Sequence, residues 1–306
     1  MRDCRNLVDK GGEIMLRLKG IIPAILTPFN DDYEVDEKVF EELCNYLIEK
    51  GVNGLFVAGT TGEGPLLSLE ERARLFKLAV MSANGRVPII CHVGSISSRE
   101  TITLIRSAID ARADAIAIVS PYYYRLDESA IEDYYTEVLE EAKGIPVFLY
   151  NIPGLTNNPI SSGLVQRLFK QGKISGVKDS SGNITVLKSF IDISPEFQVI
   201  CGSDALFLLA LSLGAVGAVS STANVFPEIF TSIYNALLNR NMDMAIENQR
   251  KLNELCKIFQ YGRLISSYKY ALSLRGFKIS DRVRSPQRKL TEEEKEVIRE
   301  SLKEFL

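Results

Sequence analysis

One histidine, His92, is all that this 306-residue chain contains. That excludes a multi-histidine metal site and leaves any Ser-His triad dependent on one residue. His92 lies inside the apolar run Val87-Pro-Ile-Ile-Cys-His-Val93, so a buried, hydrogen-bonded strand histidine is the better reading. The five cysteines (Cys4, Cys44, Cys91, Cys201 and Cys256) are odd in number, scattered, and never spaced Cys-x-x-Cys. A disulfide framework or zinc site is therefore not expected, and most of them read as small buried hydrophobes. No apolar run approaches the ~18 residues of a membrane helix. Residues 1–13 are polar and lack the apolar centre of a signal peptide. The expectations are a cytoplasmic protein and a disordered extension over residues 1–15, with Met15 a candidate start. A net charge of −3 offers no basic stripe for nucleic acid. No Gly-x-Gly-x-x-Gly turn follows the first strand, which argues against a nicotinamide oxidoreductase.

What is present is alternation. Apolar runs at Gly20–Leu26, Gly54–Val57, Val87–Val93, Ala115–Val119, Val147–Tyr150, Ile174–Lys178, Gln198–Cys201 and Ala215–Val219 read as strands. Amphipathic stretches at Glu37–Glu49, Leu69–Ala83, Arg99–Ala111, Glu128–Glu141, Ser162–Lys170, Ile184–Ile191, Ala205–Ser212 and Pro227–Asn239 read as helices. Near-continuous apolar strands imply burial on both faces, as in a parallel sheet. Eight strand–helix units in succession predict a (β/α)₈ TIM barrel over residues 16–240, an α/β fold, with an open doubly wound sheet as the alternative. Residues 241–306 predict a helical subdomain, with helices near Met242–Phe259, Leu264–Leu274 and Thr291–Phe305. Thr291-Glu-Glu-Glu294 has the form of a capping box.

Barrel enzymes place their chemistry at the C-terminal strand ends. There the chain carries Gly59-Thr-Thr-Gly-Glu63, Ser120-Pro-Tyr-Tyr-Tyr124, Tyr150-Asn-Ile-Pro153, Lys178 and Gly202-Ser-Asp204. Lys178 ends a short buried run and is followed by the turn Asp179-Ser-Ser-Gly182. Burying an ammonium there is costly, and an uncharged amine can attack a carbonyl to form a Schiff base. Taken alone, it is better read as a lysine snorkelling from a strand end. The glycines of Gly59-Thr-Thr-Gly62 allow close backbone approach, and the loop's N–H and O–H groups suit a carboxylate. In isolation that motif reads as a capped strand-to-helix turn. Tyr150 can relay protons to an amine–carbonyl adduct or be a core tyrosine. Tyr122, Tyr123 and Tyr124 read equally as a packing or subunit-contact cluster.

Together these co-linear motifs, from about Lys19 to the C-terminus, resemble the dihydrodipicolinate synthase / N-acetylneuraminate lyase superfamily. The resemblance implies a (β/α)₈ barrel with three C-terminal helices, a homotetramer, and class I aldolase chemistry without metal or cofactor. It implies that Lys178 forms the Schiff base with pyruvate or a 2-keto acid and that Tyr150 shuttles protons. Thr60, Thr61 and Gly62 would hold the pyruvate carboxylate, with Thr61 in a hydroxyl relay. Tyr123 would cross into a neighbouring subunit's site, and the Val219 carbonyl would line the pocket.

One position departs from the synthase branch. That branch carries an arginine two residues past the Tyr150-Asn-Ile-Pro153 proline, where this chain has Leu155. Losing the guanidinium removes a charge-assisted bond worth roughly 1.5–3 kcal/mol. Gly176-Val-Lys-Asp179, the Tyr122–Tyr124 run and Ser203-Asp204 look closer to 2-keto-3-deoxygluconate aldolases. For a sugar-acid tail, Thr156, Asn157, Ser180 and Ser221 are candidate partners. Arg125 is a candidate for a terminal phosphate, although an exposed solvated arginine is the simpler reading. The expected reaction is reversible cleavage of a 2-keto-3-deoxy sugar acid to pyruvate and an aldehyde. The alternatives are condensation of pyruvate with aspartate semialdehyde (with Arg125 replacing the missing arginine), a sugar-acid dehydratase, and a non-catalytic ligand-binding barrel.

Overall fold

Each apolar run alternates between two environments, and that alternation builds the architecture. A computed structural model describes residues 7–10, 13–142, 144–261 and 265–306, with side chains described from Leu16 onward. Cys4 and Leu264 lie outside these residues. Leu7–Lys10 (β1) and Glu13–Leu16 (β2) pair as an antiparallel hairpin. Eight parallel strands then form one sheet: β3 (Gly20–Pro23), β4 (Leu55–Val57), β5 (Ile89–His92), β6 (Ala115–Val119), β7 (Val147–Asn151), β8 (Gly176–Asp179), β9 (Gln198–Cys201) and β10 (Gly217–Ser220).

The sheet order runs β3-β10-β9-β8-β7-β6-β5-β4. The seam between β3 and β4 is closed by an Ala24–Phe56 bridge, by Ile25 N–H donating to Phe56 O (3.0 Å), and by Asn53 N–H donating to Ile21 O (2.7 Å). The TIM barrel expected from eight strand–helix units is what forms; the open sheet is not. Gly20 is required at this seam. Its φ is +76°, and a Cβ there would lie 2.1 Å from Asn53 Oδ1, the atom that accepts from Ile21 N–H.

Period-2 alternation sorts the strand residues. Ile22, Phe56, Ile90, Ala115, Ala117, Val119, Phe148, Tyr150, Ile200 and Val219 face the lumen. Ile89, Cys91, Ile116, Ile118, Val147, Leu149, Val177, Val199 and Cys201 face the helices. Leu16 and Leu18 plug the N-terminal mouth, where Gln198 accepts from Leu18 N–H (2.7 Å) and donates to Leu16 O (2.9 Å).

The barrel helices are α1 (Glu37–Glu49), α2 (Leu69–Ala83), α3 (Ser98–Asp110), α4 (Glu128–Leu139), α5 (Pro153–Thr156), α6 (Ser162–Lys170), α7 (Ile184–Ile191), α8 (Phe207–Leu213) and α9 (Pro227–Leu238). Side-chain caps start most of them: Asp36, Ser68, Ser97, Asp127, Ser161 and Asn183 each accept from the first turn. Such caps are worth about 1 kcal/mol each. α10 (Met242–Gln260), α11 (Ile265–Leu274) and α12 (Glu292–Leu302) follow. Thr291 and Glu294 form the expected capping box. Three details differ from the sequence reading. A hairpin, β1–β2, forms where a disordered extension over residues 1–15 was expected. The helix expected to begin at Ala205 opens as a 3₁₀ turn at Asp204–Leu206, and the one-turn α5 was not anticipated.

Candidate active site

The alternation that fills the lumen also aims polar side chains into it at the C-terminal ends of β5, β7 and β8. Lys178 is paired in register with Tyr150 on β7 and Ile200 on β9, and is only 4% exposed. Its Nζ lies 3.8 Å from the centroid of the Tyr150 ring and 4.4 Å from that of Phe56. His92 completes the aromatic wall, edge-on to Tyr150 with centroids 5.7 Å apart. The amine is thus held in an apolar box just beneath the barrel mouth.

Tyr150 reaches the Gly59-Thr-Thr-Gly62 loop, its hydroxyl 3.3 Å from Thr60 Oγ1. Burial pushes the phenol up, but the Lys178 charge and hydrogen bonds from Thr60, Lys178 and Ser180 outweigh it, and the group falls below the usual phenol range. A phenol so placed gives up its proton more readily than a free tyrosine. Thr61 Oγ1 is 2.6 Å from Ser221 Oγ, which joins the β4 loop to the end of β10. Gly62 O accepts from Thr27 Oγ1 at 2.6 Å. Gly62 is there for space: a Cβ would sit 2.8 Å from Ile25 O. Val219 lies in the lumen beside Ile22.

The structure therefore brings Lys178, Tyr150, Thr60, Thr61, Gly62, Val219 and Ser221 to one mouth. Tyr123 stands elsewhere. It is 77% exposed at φ +83°, T-stacked on the exposed Tyr124; Tyr122 is the member of the trio that packs against the lumen cluster. Leu155 is exposed on α5. Arg125 lines a groove of about 550 Å³ with Asn151, Asn157, Ser161 and Ser181. Thr156 is buried and bonded to Ile152 O and Asn158 O.

Several participants had no role in the sequence reading. Phe56 forms one wall of the amine box, and its lumen-facing position follows from period-2 alternation in β4. Asp204 sits close enough for the Lys178 charge to act on it; burial raises its carboxyl, against the nearby polar groups of Thr222 and Ser220 and that charge. Tyr268, from α11, lies near Thr222 and Ser221, and burial pushes its phenol up. Its contribution crosses about fifty residues of chain and leaves no local signal. His92 is buried as expected, with Nδ1 3.2 Å from both Ala58 O and Arg72 Nη2, while Nε2 has no partner among the described residues.

Comparison with known proteins agrees with this geometry. Residues 17–305 match the model of the dihydrodipicolinate synthetase family. A 4-hydroxy-tetrahydrodipicolinate synthase of Methanothermobacter thermautotrophicus is 38% identical over 248 residues, covering 79% of this chain and 87% of that protein. YjhH of Escherichia coli, named a probable 2-dehydro-3-deoxy-D-pentonate aldolase, is 33% identical over 290 residues, covering 93% and 96%. Among solved structures, YagE, a prophage protein of the dihydrodipicolinic acid synthase family from E. coli in complex with pyruvate, superposes with TM-score 0.90 at 31% identity, covering 94% of this chain and 98% of that one. With the barrel, the lumen lysine and a match over nearly its whole length, the chain belongs to the dihydrodipicolinate synthetase family of carbon–carbon lyases.

Proposed function

We propose that the chain is a class I, Schiff-base aldolase that reversibly cleaves a 2-keto-3-deoxy sugar acid to pyruvate and an aldehyde. The observation that carries the reading is the Lys178 amine, enclosed by the Tyr150 and Phe56 rings within a bonded path Tyr150–Thr60 and Thr61–Ser221. Lys178 gives up its proton, the free amine adds to the C2 ketone, and the carbinolamine hydroxyl takes up a proton and leaves as water, giving an iminium. Thr60 and Thr61, with the Gly62 backbone, receive the carboxylate. Tyr150 takes the C4 hydroxyl proton, helped by the substrate carboxylate and Thr61. The C3–C4 bond then breaks, its electron pair passing to the iminium nitrogen through an enamine. The aldehyde departs, C3 is reprotonated, and hydrolysis releases pyruvate and the free amine.

The relatives include both a synthase and a sugar-acid aldolase, so the second substrate is argued from the mouth itself. Where an arginine would hold a semialdehyde carboxylate, Leu155 offers an apolar, 60% exposed side chain. Ser180, near the Tyr150 hydroxyl, and Ser221, bonded to Thr61, are groups suited to sugar hydroxyls. The test is pyruvate held constant with either glyceraldehyde or aspartate semialdehyde. Glyceraldehyde should be the better acceptor by kcat/KM; efficient turnover of the semialdehyde alone would overturn the assignment.

We also propose that the protein is cytoplasmic and a homotetramer. Unpaired cysteines at Cys44, Cys91, Cys201 and Cys256 suit a reducing compartment. The exposed Tyr123–Tyr124 pair, with Tyr123 held at a positive φ, is suited to bury against another copy.

A further inference from the structure

A pair of fully buried charges links the C-terminal helices to the loop that carries Thr60 and Thr61. Lys269, on α11, donates from Nζ to Glu63 Oε1 at 2.7 Å, and both side chains are 0% exposed. The other oxygen, Glu63 Oε2, accepts from the backbone N–H of Arg284 at 2.8 Å. Lys269 Nζ also donates to Arg282 O at 2.6 Å and lies 4.5 Å from the Phe29 ring centroid. From the same segment the Arg284 guanidinium stands over Phe29 and binds both oxygens of Glu71, at 2.8 and 2.7 Å. Glu71 also caps α2, the helix that follows the loop.

The loop is held under backbone strain. Ala58 at its start has φ +53° and Glu63 at its end has φ +57°, left-handed values that a residue with a Cβ adopts only when its surroundings impose them. Thr60 and Thr61 lie between these two points. Each has one lateral restraint, Tyr150 and Ser221 respectively. The imposed turn at Glu63 is the restraint that comes from outside the barrel.

We propose that Lys269 and the Arg284 backbone position the pyruvate-carboxylate loop by locking Glu63, so that the C-terminal helices complete the site. The proposal rests on the reading of Thr60 and Thr61 as carboxylate ligands. Glu63 and Lys269 act through the two threonines and are positioning residues. Releasing the lock lets residue 63 leave the left-handed region, and the hydroxyls and N–H groups before it lose their common aim. Misplacement of this size weakens binding of the group they hold without altering the amine. A mere packing pair would instead lower stability and leave pyruvate affinity alone.

Removing only one buried charge strands the other, which is strongly destabilising. The primary variant is therefore the double substitution Glu63→Gln with Lys269→Met, which removes both. Arg299→Leu is the control, because it loosens α12 from Tyr270 on α11 without touching the lock. Borohydride trapping is titrated against pyruvate on the full-length proteins, with melting temperatures and the aldehyde KM measured alongside. The double variant should need at least about tenfold more pyruvate for half-maximal trapping, still reach full adduct at saturation, and keep its aldehyde KM. Arg299→Leu should lower the melting temperature and move the pyruvate half-saturation less than twofold.

Unchanged pyruvate half-saturation in a folded double variant overturns the proposal. So does an equal rise in the Arg299→Leu control. Should the unaltered protein form no adduct, the functional reading fails instead, and hydrogen exchange decides the lock. Amides of Thr60–Gly64 should then exchange faster in the double variant than in the control; equal rates overturn the lock.

Discussion

Tyr150 meets both the amine and the threonine loop, so its phenol is where the proposed proton traffic concentrates. Tyr150→Phe keeps the ring under Lys178 and removes only the hydroxyl. Positioned proton transfer contributes about 10²–10⁴-fold, so cleavage should fall by that factor while borohydride still captures pyruvate on Lys178. Turnover within tenfold of the parent would assign the proton to another group.

His92 offers a test at the same scale. Burial, then the Arg72 and Lys178 charges, hold its imidazole well below 6.5, with a weaker opposing pull from Ala58 O. The folded state thus refuses a proton that the unfolded chain accepts. The resulting stability is complete above pH 6.5 and is lost as pH falls toward the folded value, by about 1.4 kcal/mol per unit. Denaturant midpoints between pH 7 and 5 should fall less steeply in His92→Asn, by about one proton of slope; parallel curves would show that the imidazole titrates normally in the fold.

Among the elements, the β4 loop tolerates little change at Gly62. A Cβ at Gly62 would stand 2.8 Å from a backbone oxygen, which cannot swing aside as a side chain can. Gly62→Ala should cost about 1–3 kcal/mol, read as a lower urea midpoint, and should weaken pyruvate trapping. Wild-type values on both measures would mean that the loop has room to relax. Most elements were legible because their physics is local. Ala115–Val119 is apolar on both faces and bounded by polar turns. Leu69–Ala83 starts at a serine cap with a glutamate three residues on. The 3₁₀ turn at Asp204–Leu206 and the single turn of α5 were not legible, because short turns carry no periodicity.

At the scale of the molecule, eight strand–helix units made the barrel readable, and the strand-end rule pointed to its mouth. The long-range contacts were not readable. Lys269 meets Glu63 across 206 residues, and nothing around either residue in sequence names the other. Leu18 and Gln198 are likewise joined across 180 residues. Tyr123 is legible as an aromatic in a strand-end motif, but its exposure and positive φ emerge only in three dimensions. If that surface joins copies of the chain, the parent should sediment as a homotetramer and Tyr123→Ser with Tyr124→Ser as a smaller species; a monomeric parent would remove the assembly proposal.

The proposed aldolase activity requires Lys178 to bond covalently to a keto acid. Incubation with pyruvate and borohydride, followed by peptide mass analysis, should place a reduced three-carbon adduct on Lys178 and none on Lys178→Ala, with turnover lost in the variant. An unmodified Lys178, or full turnover in Lys178→Ala, would contradict it.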